Sequence, residues 1–266
     1  MQIEPLEQPD LIHLKEFEPP DWGDLVPRFK YCIESSFCHP VKMKVGNKTI
    51  AIGTTILHRD SAWLASIIVH PDHRNKGFGK AITRQLIDSI NTNIHSTISL
   101  DATDLGFPVY NKLGFKLETI YAHLKSESNI TGLQLSKKIV PFEQKYLQQM
   151  LDLDVKISAE YRQDTVCEHL DKCKLYVNRD RVEGFYLATL GNGLIVAEND
   201  TAGSELIKFR LENNYYAILP SENTTAIELL VNNNLRQFRI SRRMFIGKKR
   251  EWRSDGIYNR ISGQLG

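Results

Sequence analysis

The sequence predicts a mixed α/β fold, a largely antiparallel sheet flanked by helices, and two observations support it. Short runs rich in β-branched residues alternate with amphipathic helical patterns. The order hairpin, strand, helix, strand, helix, strand occurs once before Pro141 and again, more weakly, after it. With 266 residues the chain is long enough for two domains. We therefore predict two tandem domains of similar architecture, residues 1–140 and 141–266.

The predicted elements follow from this alternation. In the first half we expect loop with short helical turns around Pro19-Pro20, which blocks a continuous helix. The strands expected there are a hairpin over 43–57 that turns at Gly46-Asn47, then 63–69, 96–100, 117–124 and 133–137; the helices are 29–37, 79–91 and 107–113. In the second half the strands are 175–177, 184–190, 194–197, 216–219 and 238–245; the helices are 144–151, 204–213 and 225–232.

Composition excludes several classes of protein. The formal charge is +2, which gives no electrostatic case for binding nucleic acid or an acidic membrane. The start of the chain has no signal-peptide pattern, and no apolar run approaches the roughly 20 residues of a membrane span. The four cysteines match no metal-binding or redox spacing, so we expect reduced thiols and no metal. We expect a cytoplasmic protein and leave monomer and homodimer open.

The most informative stretch is residues 61–88, a strand, a glycine-containing turn and a helix. Backbone N–H groups converge on an anion at such a helix N-terminus. A P-loop is excluded because Arg74 stands where its first glycine should be and Ala81 where its Ser or Thr should be. A Rossmann fingerprint is excluded because no third glycine follows Gly77-Phe-Gly79 at the required spacing.

Residues 69–80, Val-His-Pro-Asp-His-Arg-Asn-Lys-Gly-Phe-Gly-Lys, resemble the coenzyme A loop of the GNAT superfamily of acyl-CoA N-acyltransferases. The family pattern is Val-x-Pro-x-x-Arg-x-x-Gly-x-Gly. The resemblance implies acetyl-CoA as donor, with its pyrophosphate on backbone N–H groups and its thioester on the preceding strand. The implied binding residues are Ile67, Ile68 and Val69 through their backbone, and Arg74, Asn75, Lys76, Gly77, Phe78, Gly79 and Lys80 in the loop. The two loop glycines leave room for the phosphates.

A second segment, residues 98–115, resembles the later GNAT segment that ends Tyr-x-x-x-Gly-Phe. The resemblance implies that Tyr110 is the general acid that protonates the leaving thiolate. A thiol with a pKa of about 8.5 leaves more easily at neutral pH when it receives a proton. The alternative is a packing tyrosine on the buried face of its helix.

The general base is harder to assign. Many family members carry a glutamate on the strand before the loop, whereas this chain has Trp63, Ala65 and Ser66 there. Asp101, at the end of the next strand, is the candidate base, and capping of the following helix is its alternative role. For His70 and His73 we expect surface or phosphate-side roles. The start of the chain contains a group of acidic and aromatic residues that could line an amine site, but we favour a solvated loop. These residues are Glu16, Glu18, Asp21, Trp22 and Asp24.

The second half looks like a degenerate copy, and the chain resembles a branch of the GNAT superfamily with two tandem GNAT-like domains of which the second is degenerate. Leu230 stands at the position of the tyrosine, and Asn234-Leu235 replaces Gly-Phe. Acidic residues stand at the positions of Arg74 and Gly79, where they would repel a pyrophosphate. We predict a structural or acceptor-shaping domain. The whole chain is thus predicted to be an acetyl-CoA-dependent N-acetyltransferase acting on a small-molecule or protein amine; a non-catalytic acyl-CoA-binding or sensing protein, and an acyl group larger than acetyl, remain alternatives.

Overall fold

The structure is a computed structural model that describes residues 1–20, 22–128, 130 and 132–263. Its contacts divide the chain into two units. The first consists mainly of Met1–Lys116 with Phe245–Lys248, and the second of Leu117–Met244 with Lys249–Ser262. The units therefore divide at residues 116/117 and not at the repeat boundary of 140/141. The assignment of 1–140 and 141–266 as two functional domains stays a prediction.

The first unit follows the predicted order of elements closely. Its strands are β1 (Gln2–Pro5), β2 (Cys38–Val45), β3 (Lys48–Leu57), β4 (Ser61–Val69) and β5 (Thr97–Ala102), and its α-helices are α1 (Val26–Glu34), α2 (Phe78–Asp88) and α3 (Phe107–Lys112). Short 3-10 helices cover Gln8–Phe17 and Pro71–His73. The sheet order is β1-β2-β3-β4-β5; its first four strands are antiparallel, and β5 is parallel to β4.

The second unit contains the repeated elements. Its strands are β6 (Lys116–Lys125), β7 (Ile139–Pro141), β8 (Lys174–Asn178), β9 (Arg181–Leu187), β10 (Leu194–Ala197), β11 (Tyr216–Pro220), β12 (Arg236–Gly247) and β13 (Ile257–Asn259). Its α-helices are α4 (Leu147–Ser158), α5 (Gln163–Cys167), α6 (Asp200–Leu211) and α7 (Thr224–Asn232), with 3-10 turns at Gln144–Tyr146 and Ser254–Gly256. The strand orders are β12-β6-β11 and β13-β10-β9-β8-β7.

The last residues of β12 belong to the first unit, where they extend its sheet beyond β5. The N–H of Lys248 donates to the carbonyl of Ser96 at 2.8 Å, and the hydroxyl of Thr97 donates to the carbonyl of Lys248 at 2.6 Å. A Cβ on Gly247, whose φ is +90°, would lie 2.3 Å from the Ser96 oxygen. The contact with Ser96 therefore requires glycine at position 247.

The N-terminal segment is more ordered than its sequence predicts. The 3-10 helix Gln8–Phe17 buries Leu11, Leu14 and Phe17 in a core that also holds Ile52 of β3 and Ile68 of β4. Other corrections concern single elements. The described residues at 133–137 form no strand, and β1, α5 and β13 are not predicted at all. In the part of the chain that the structure describes, no helix has the length and apolar character to cross a membrane.

Candidate acyl-CoA site

A β-bulge interrupts β4 just before the loop. Ser66 and Ile67 together face the single residue Gly53 of β3. The flanking pairs are Ile52 with Ile68 and Thr54 with Ala65. Ser66 has a φ of +50°, which is uncommon for a residue with a side chain. Because bulges bend a strand and increase its twist, β4 changes direction at this point.

Gly53 lets helix α2 pack against the bulge. A Cβ at this position would lie 2.9 Å from Cδ1 of Leu86 and 3.6 Å from Cδ1 of Ile82, both on the buried face of the helix. A larger residue would push α2 away from β3. The site therefore depends on a small residue in the strand next to the one that carries the implied binding groups.

Beyond the bulge, β4 and β5 separate. Their parallel pairing runs from Ser61 with Thr97 to Leu64 with Leu100. Among the described residues, 65–69 have no partner on β5. The backbone groups on this side of 65–69 can therefore pair with an extended ligand, in the way that peptides add to a sheet edge. The three strand residues implied by the family resemblance lie in this segment.

The loop that follows β4 forms a helix N-terminus suited to an anion. Gly77 precedes the first residue of α2, has a φ of +84° and supplies no side-chain cap. The first N–H groups of an α-helix have no acceptor inside the helix, and the helix dipole adds positive charge there. The backbone N–H groups of residues 78–80 can thus bind phosphate oxygens. The positive φ at position 77 explains why a glycine stands there. Position 79 has ordinary space around it, since a Cβ there would lie 3.7 Å from Val69.

Cationic side chains surround this helix end. Arg74 Nε donates to the carbonyl of Val69 at 3.3 Å, and Lys76 Nζ donates to the carbonyl of Asp72 at 2.8 Å. Arg74, Lys76 and Lys80 are all exposed, so their charges can reach an anion at the surface. The predicted loop residues therefore lie together around one helix terminus.

His70 anchors the start of the loop. Its N–H donates to the carbonyl of Ile50 at 2.9 Å, and its Nδ1 accepts from the N–H of Asp72 at 3.3 Å. Its ring packs edge-on against Phe17, with centroids 5.3 Å apart, and its Nε2 lies 3.7 Å from a carboxylate oxygen of Glu16. These contacts tie the loop to β3 and to the N-terminal 3-10 helix. These contacts give His70 a structural role, and the surface or phosphate-side role expected for it stays a prediction.

A pocket of about 180 Å³ lies beside the loop. It is lined by His13, Glu16, Phe17, Asn47, Lys48, Thr49, His70 and His73. Partial desolvation lowers the pKa of His73, and the charge of Lys76 lowers it further. The His73 ring is therefore harder to protonate than a free histidine.

The ring of Tyr110 in α3 contacts two residues, Gly106 just before the helix and Phe115 just after it. A Cβ on Gly106 would lie 2.7 Å from Cε2 of Tyr110, so the aromatic ring covers this glycine. The ring also meets Phe115 edge-on, with centroids 6.0 Å apart. Burial raises the pKa of the Tyr110 phenol above its usual value, and the negative charge of Asp101 raises it further. The phenol is thus protonated at neutral pH, as a proton donor must be.

Asp101 is half-buried at the end of β5, on the side where β4 and β5 separate. The N–H of Gly106, just before α3, donates to Thr103 Oγ1 at 3.2 Å. Thr103 makes this contact at the start of the helix. The base role of Asp101 stays a prediction.

The acidic residues near the N-terminus have local partners. Glu18 Oε1 accepts from the N–H of Leu25 at 3.2 Å, and Asp24 Oδ1 accepts from the N–H of Val26 at 2.8 Å. Both carboxylates thus accept hydrogen bonds from backbone N–H groups at the start of α1. The Arg28 guanidinium lies 5.7 Å from the Trp22 ring centroid. Asp21 lies outside the described residues. These contacts favour a structural role over an amine site.

Within the described ranges, no three His, Cys, Asp or Glu side chains are placed to hold a metal ion. The four cysteines form no disulfide bond, and Cys32, Cys38 and Cys173 are buried. Sequence reasoning missed three features of the site: the bulge at Ser66, and the glycines at 53 and 106. An isolated glycine within a strand pattern, as at Gly53, is a signal of a bulge and could have indicated the first.

Comparison with known proteins agrees with this geometry. Residues 34–124 match the family model described as an acetyltransferase (GNAT) domain. No curated protein sequence matches the chain closely enough to count as a relative.

Three solved structures share the fold over nearly the whole chain. A protein from Pyrococcus horikoshii, provisionally assigned as an acetyltransferase, superposes with a TM-score of 0.79 at 20% identity, covering 100% of this chain and 95% of its own. A tandem GNAT protein from the clavulanic acid biosynthesis pathway gives a TM-score of 0.61 at 9% identity, covering 92% and 98%. A GNAT-family acetyltransferase from Colwellia psychrerythraea gives 0.53 at 10% identity, covering 93% and 100%. Residues 34–124 therefore match the GNAT acetyltransferase domain, and the chain as a whole shares a fold of two tandem GNAT-like domains.

Proposed function

We propose that the protein is an acetyl-CoA-dependent N-acetyltransferase that transfers the acetyl group to a primary amine of a small molecule or a protein. The observation that carries the proposal is the separation of β4 from β5 directly before the loop at 70–77. An unpaired strand segment and a helix N-terminus are two sites that one elongated donor with an amide-bearing arm and a pyrophosphate can occupy together.

The donor would bind along residues 65–69 and at the start of α2. Backbone groups of Ile67, Ile68 and Val69 would face the pantetheine arm and the thioester carbonyl. The loop residues 74–80 would bind the pyrophosphate through backbone N–H groups, with Arg74 and Lys80 adding positive charge. Transition-state charge on the carbonyl oxygen would be stabilised by backbone N–H groups near the bulge.

The neutral amine attacks the thioester carbon, the C–N bond forms and the C–S bond breaks. The nitrogen then loses one proton to become the amide, and this proton replaces the one that Tyr110 gives to the sulfur. Tyr110 donates its proton to the leaving sulfur, and its raised pKa keeps that proton in place until then. The ammonium form of the acceptor, with a pKa of about 10.4, must first lose a proton. We assign this step to Asp101, directly or through water.

A second candidate function rests on one observation. The residues of β4 from Trp63 to Val69 include no carboxylate. A chain without an effective base would bind an acyl-CoA and not transfer its acyl group. This acyl-CoA-binding or sensing function is the alternative. For the second domain we propose a structural or acceptor-shaping role.

Release of free coenzyme A from acetyl-CoA across a panel of small amines and peptides would separate the two functions. We expect release above the amine-free rate with at least one amine class. Tight acetyl-CoA binding with no amine-dependent release anywhere in the panel would favour the binding protein. Competition by propionyl- and longer acyl-CoA would decide the size of the acyl group, because a larger natural group would bind more tightly than acetyl.

A further inference from the structure

The second unit has a cleft of its own, and a segment of the same chain fills it. Elements β9, β10, α6, β11 and α7 follow each other in the same order as β3, β4, α2, β5 and α3 of the first unit. In this repeat β10 corresponds to β4 and β11 to β5. Residues 257–261, which include β13, contact both β10 and β11.

The segment pairs with β10 as an added strand. Its register is antiparallel, with Ile195 opposite Asn259 and Val196 opposite Ile257. The side-chain amide of Asn259 donates to the carbonyl of Gly193 at 2.7 Å. The segment therefore uses backbone positions of β10 that correspond to those proposed for an acyl-CoA arm on β4.

On its other side, the same segment forms hydrogen bonds with β11. The N–H of Ile218 donates to Asn259 Oδ1 at 2.8 Å, and the N–H of Arg260 donates to the carbonyl of Ile218 at 2.8 Å. Asn259 is completely buried. Its side chain thus bridges two strands that are not paired with each other among the described residues.

The second unit also lacks a phosphate-binding loop. Eight residues, 70–77, connect β4 to α2, whereas only residues 198 and 199 connect β10 to α6. Asn199 caps α6 by accepting from the N–H of Ala202 at 3.0 Å, so this helix N-terminus already has an acceptor. Gly203, which directly precedes the helix predicted over residues 204–213, lies inside α6.

Tyr258 occupies the space in front of this helix. Its hydroxyl donates to Asp200 Oδ1 at 2.7 Å, in the first turn of α6. A Cβ on Gly203 would lie 2.2 Å from the Tyr258 ring, so glycine is needed for the ring to fit. A phosphate at this position would meet a buried aromatic ring and a carboxylate.

We propose that residues 257–261 permanently occupy the cleft of the second unit, in the place that corresponds to the one proposed for an acyl-CoA arm in the first. The chain then has one acyl-CoA site, and β13 holds β10 and β11 in their GNAT-like arrangement. The stoichiometry part of this inference rests on the function proposed for the first unit. The occupancy of the second cleft does not.

Calorimetric titration with coenzyme A tests the stoichiometry. We expect one equivalent per chain in the wild type and none in an Arg74→Glu, Lys80→Glu double variant. Two equivalents in the wild type, or one remaining in the double variant, would overturn the proposal. No binding to the wild type would instead contradict the function proposed for the first unit, and the experiment on occupancy below would still decide whether β13 fills the second cleft.

Hydrogen exchange of single amides tests the occupancy. In the wild type we expect the amides of Asn192, Ile218 and Arg260 to exchange as slowly as core strands, with or without coenzyme A. Asn259→Ala removes the acceptor of Ile218 and should speed its exchange about fivefold or more. The control Asn233→Ala, which removes a side-chain bond to the Leu229 carbonyl at the end of α7, should leave Ile218 unchanged. Fast exchange of the three amides in the wild type, or equal effects of the two variants on Ile218, would overturn the proposal.

Discussion

The ring of Tyr110 lies directly over Gly106, where a Cβ would approach Cε2 to 2.7 Å. Gly106 has a φ of −79°, which any residue can adopt. The close approach of the Tyr110 ring, and not the backbone conformation, therefore explains why a glycine stands at position 106. Gly106 is therefore a positioning residue for the proposed acid. Its substitution should move the phenol while leaving the phosphate loop intact.

For Gly106→Ala we expect kcat to fall about 10-fold to 100-fold, because a displacement of about 1 Å in a catalytic group has effects of this size. The Kd for acetyl-CoA should stay within about twofold of the wild type. Steady-state kinetics and a binding titration on the same preparation would measure both. A variant with wild-type kcat would show that the tyrosine position does not matter.

Tyr110→Phe removes the proposed proton donor and keeps the ring. We expect kcat to fall about 100-fold with unchanged acetyl-CoA affinity, since general acids contribute about 10²–10⁴. Because the pKa of Tyr110 is raised, the phenol stays protonated from pH 7 to pH 10, and wild-type kcat should not decline in that range through loss of this proton. Declining kcat that tracks tyrosinate absorbance below pH 10 would contradict the assignment.

Gly77→Ala tests the helix N-terminus. A Cβ at a φ of +84° costs about 1 kcal/mol, and relief of this strain would rotate the N–H groups at the start of α2. We expect weaker coenzyme A binding, by about tenfold. Gly46→Ala is the matched control: its φ is +59°, it has open space around it and it lies in the β2–β3 turn. The control should lose similar stability but keep the wild-type Kd. Equal affinities in the two variants would place the phosphates elsewhere.

Asp154→Asn tests a buried ion pair in the second unit. Asp154 accepts two hydrogen bonds from the Arg162 guanidinium, at 2.9 and 2.8 Å, and both side chains are buried. The substitution leaves a buried cation without this carboxylate, so we expect a loss of about 3–5 kcal/mol in urea unfolding. Glu34→Gln, in an exposed pair with Lys30, should change stability little. Similar losses in both variants would contradict this explanation.

The lowered pKa of His123 makes the stability of the folded chain depend on pH. Burial, with the charges of Arg260 and Arg239, lowers its pKa to about 3, whereas an unfolded histidine has a pKa of about 6.5. Between these values the unfolded state binds the proton and the folded state does not. Stability therefore falls as pH drops below about 6.5, by up to about 1.4 kcal/mol per pH unit.

His123→Gln keeps a polar side chain beside Ser241, whose hydroxyl lies 2.9 Å from the histidine Nε2 in the wild type. The variant should lose less stability than the wild type between pH 6 and pH 4, measured by urea unfolding. His13→Gln, at an exposed position, should retain the wild-type slope. Identical slopes in all three proteins would mean that His123 takes up its proton in the folded state as well.

The first unit could be predicted well because its signals are local. The turn at Gly46-Asn47 and the apolar run of β4 are patterns of neighbouring residues, and the observed elements lie within a few residues of the expected ones. The predicted strand at 133–137 was wrong, and β1 and β13 were missed. Each of these two strands has only three or four residues and becomes a strand through a distant partner: β1 pairs with β2, and β13 with β10.

The sequence by itself determined the fold class, the tandem repeat and the loop from Val69 to Lys80, because glycine positions and hydrophobic periodicity act over a few residues. Only the tertiary structure decided how these parts meet. It placed a bulge at Ser66, put Gly106 under Tyr110, and brought Asn259 between β10 and β11. These relationships depend on contacts between residues far apart in the chain or on backbone angles set by packing, and local sequence patterns do not encode them.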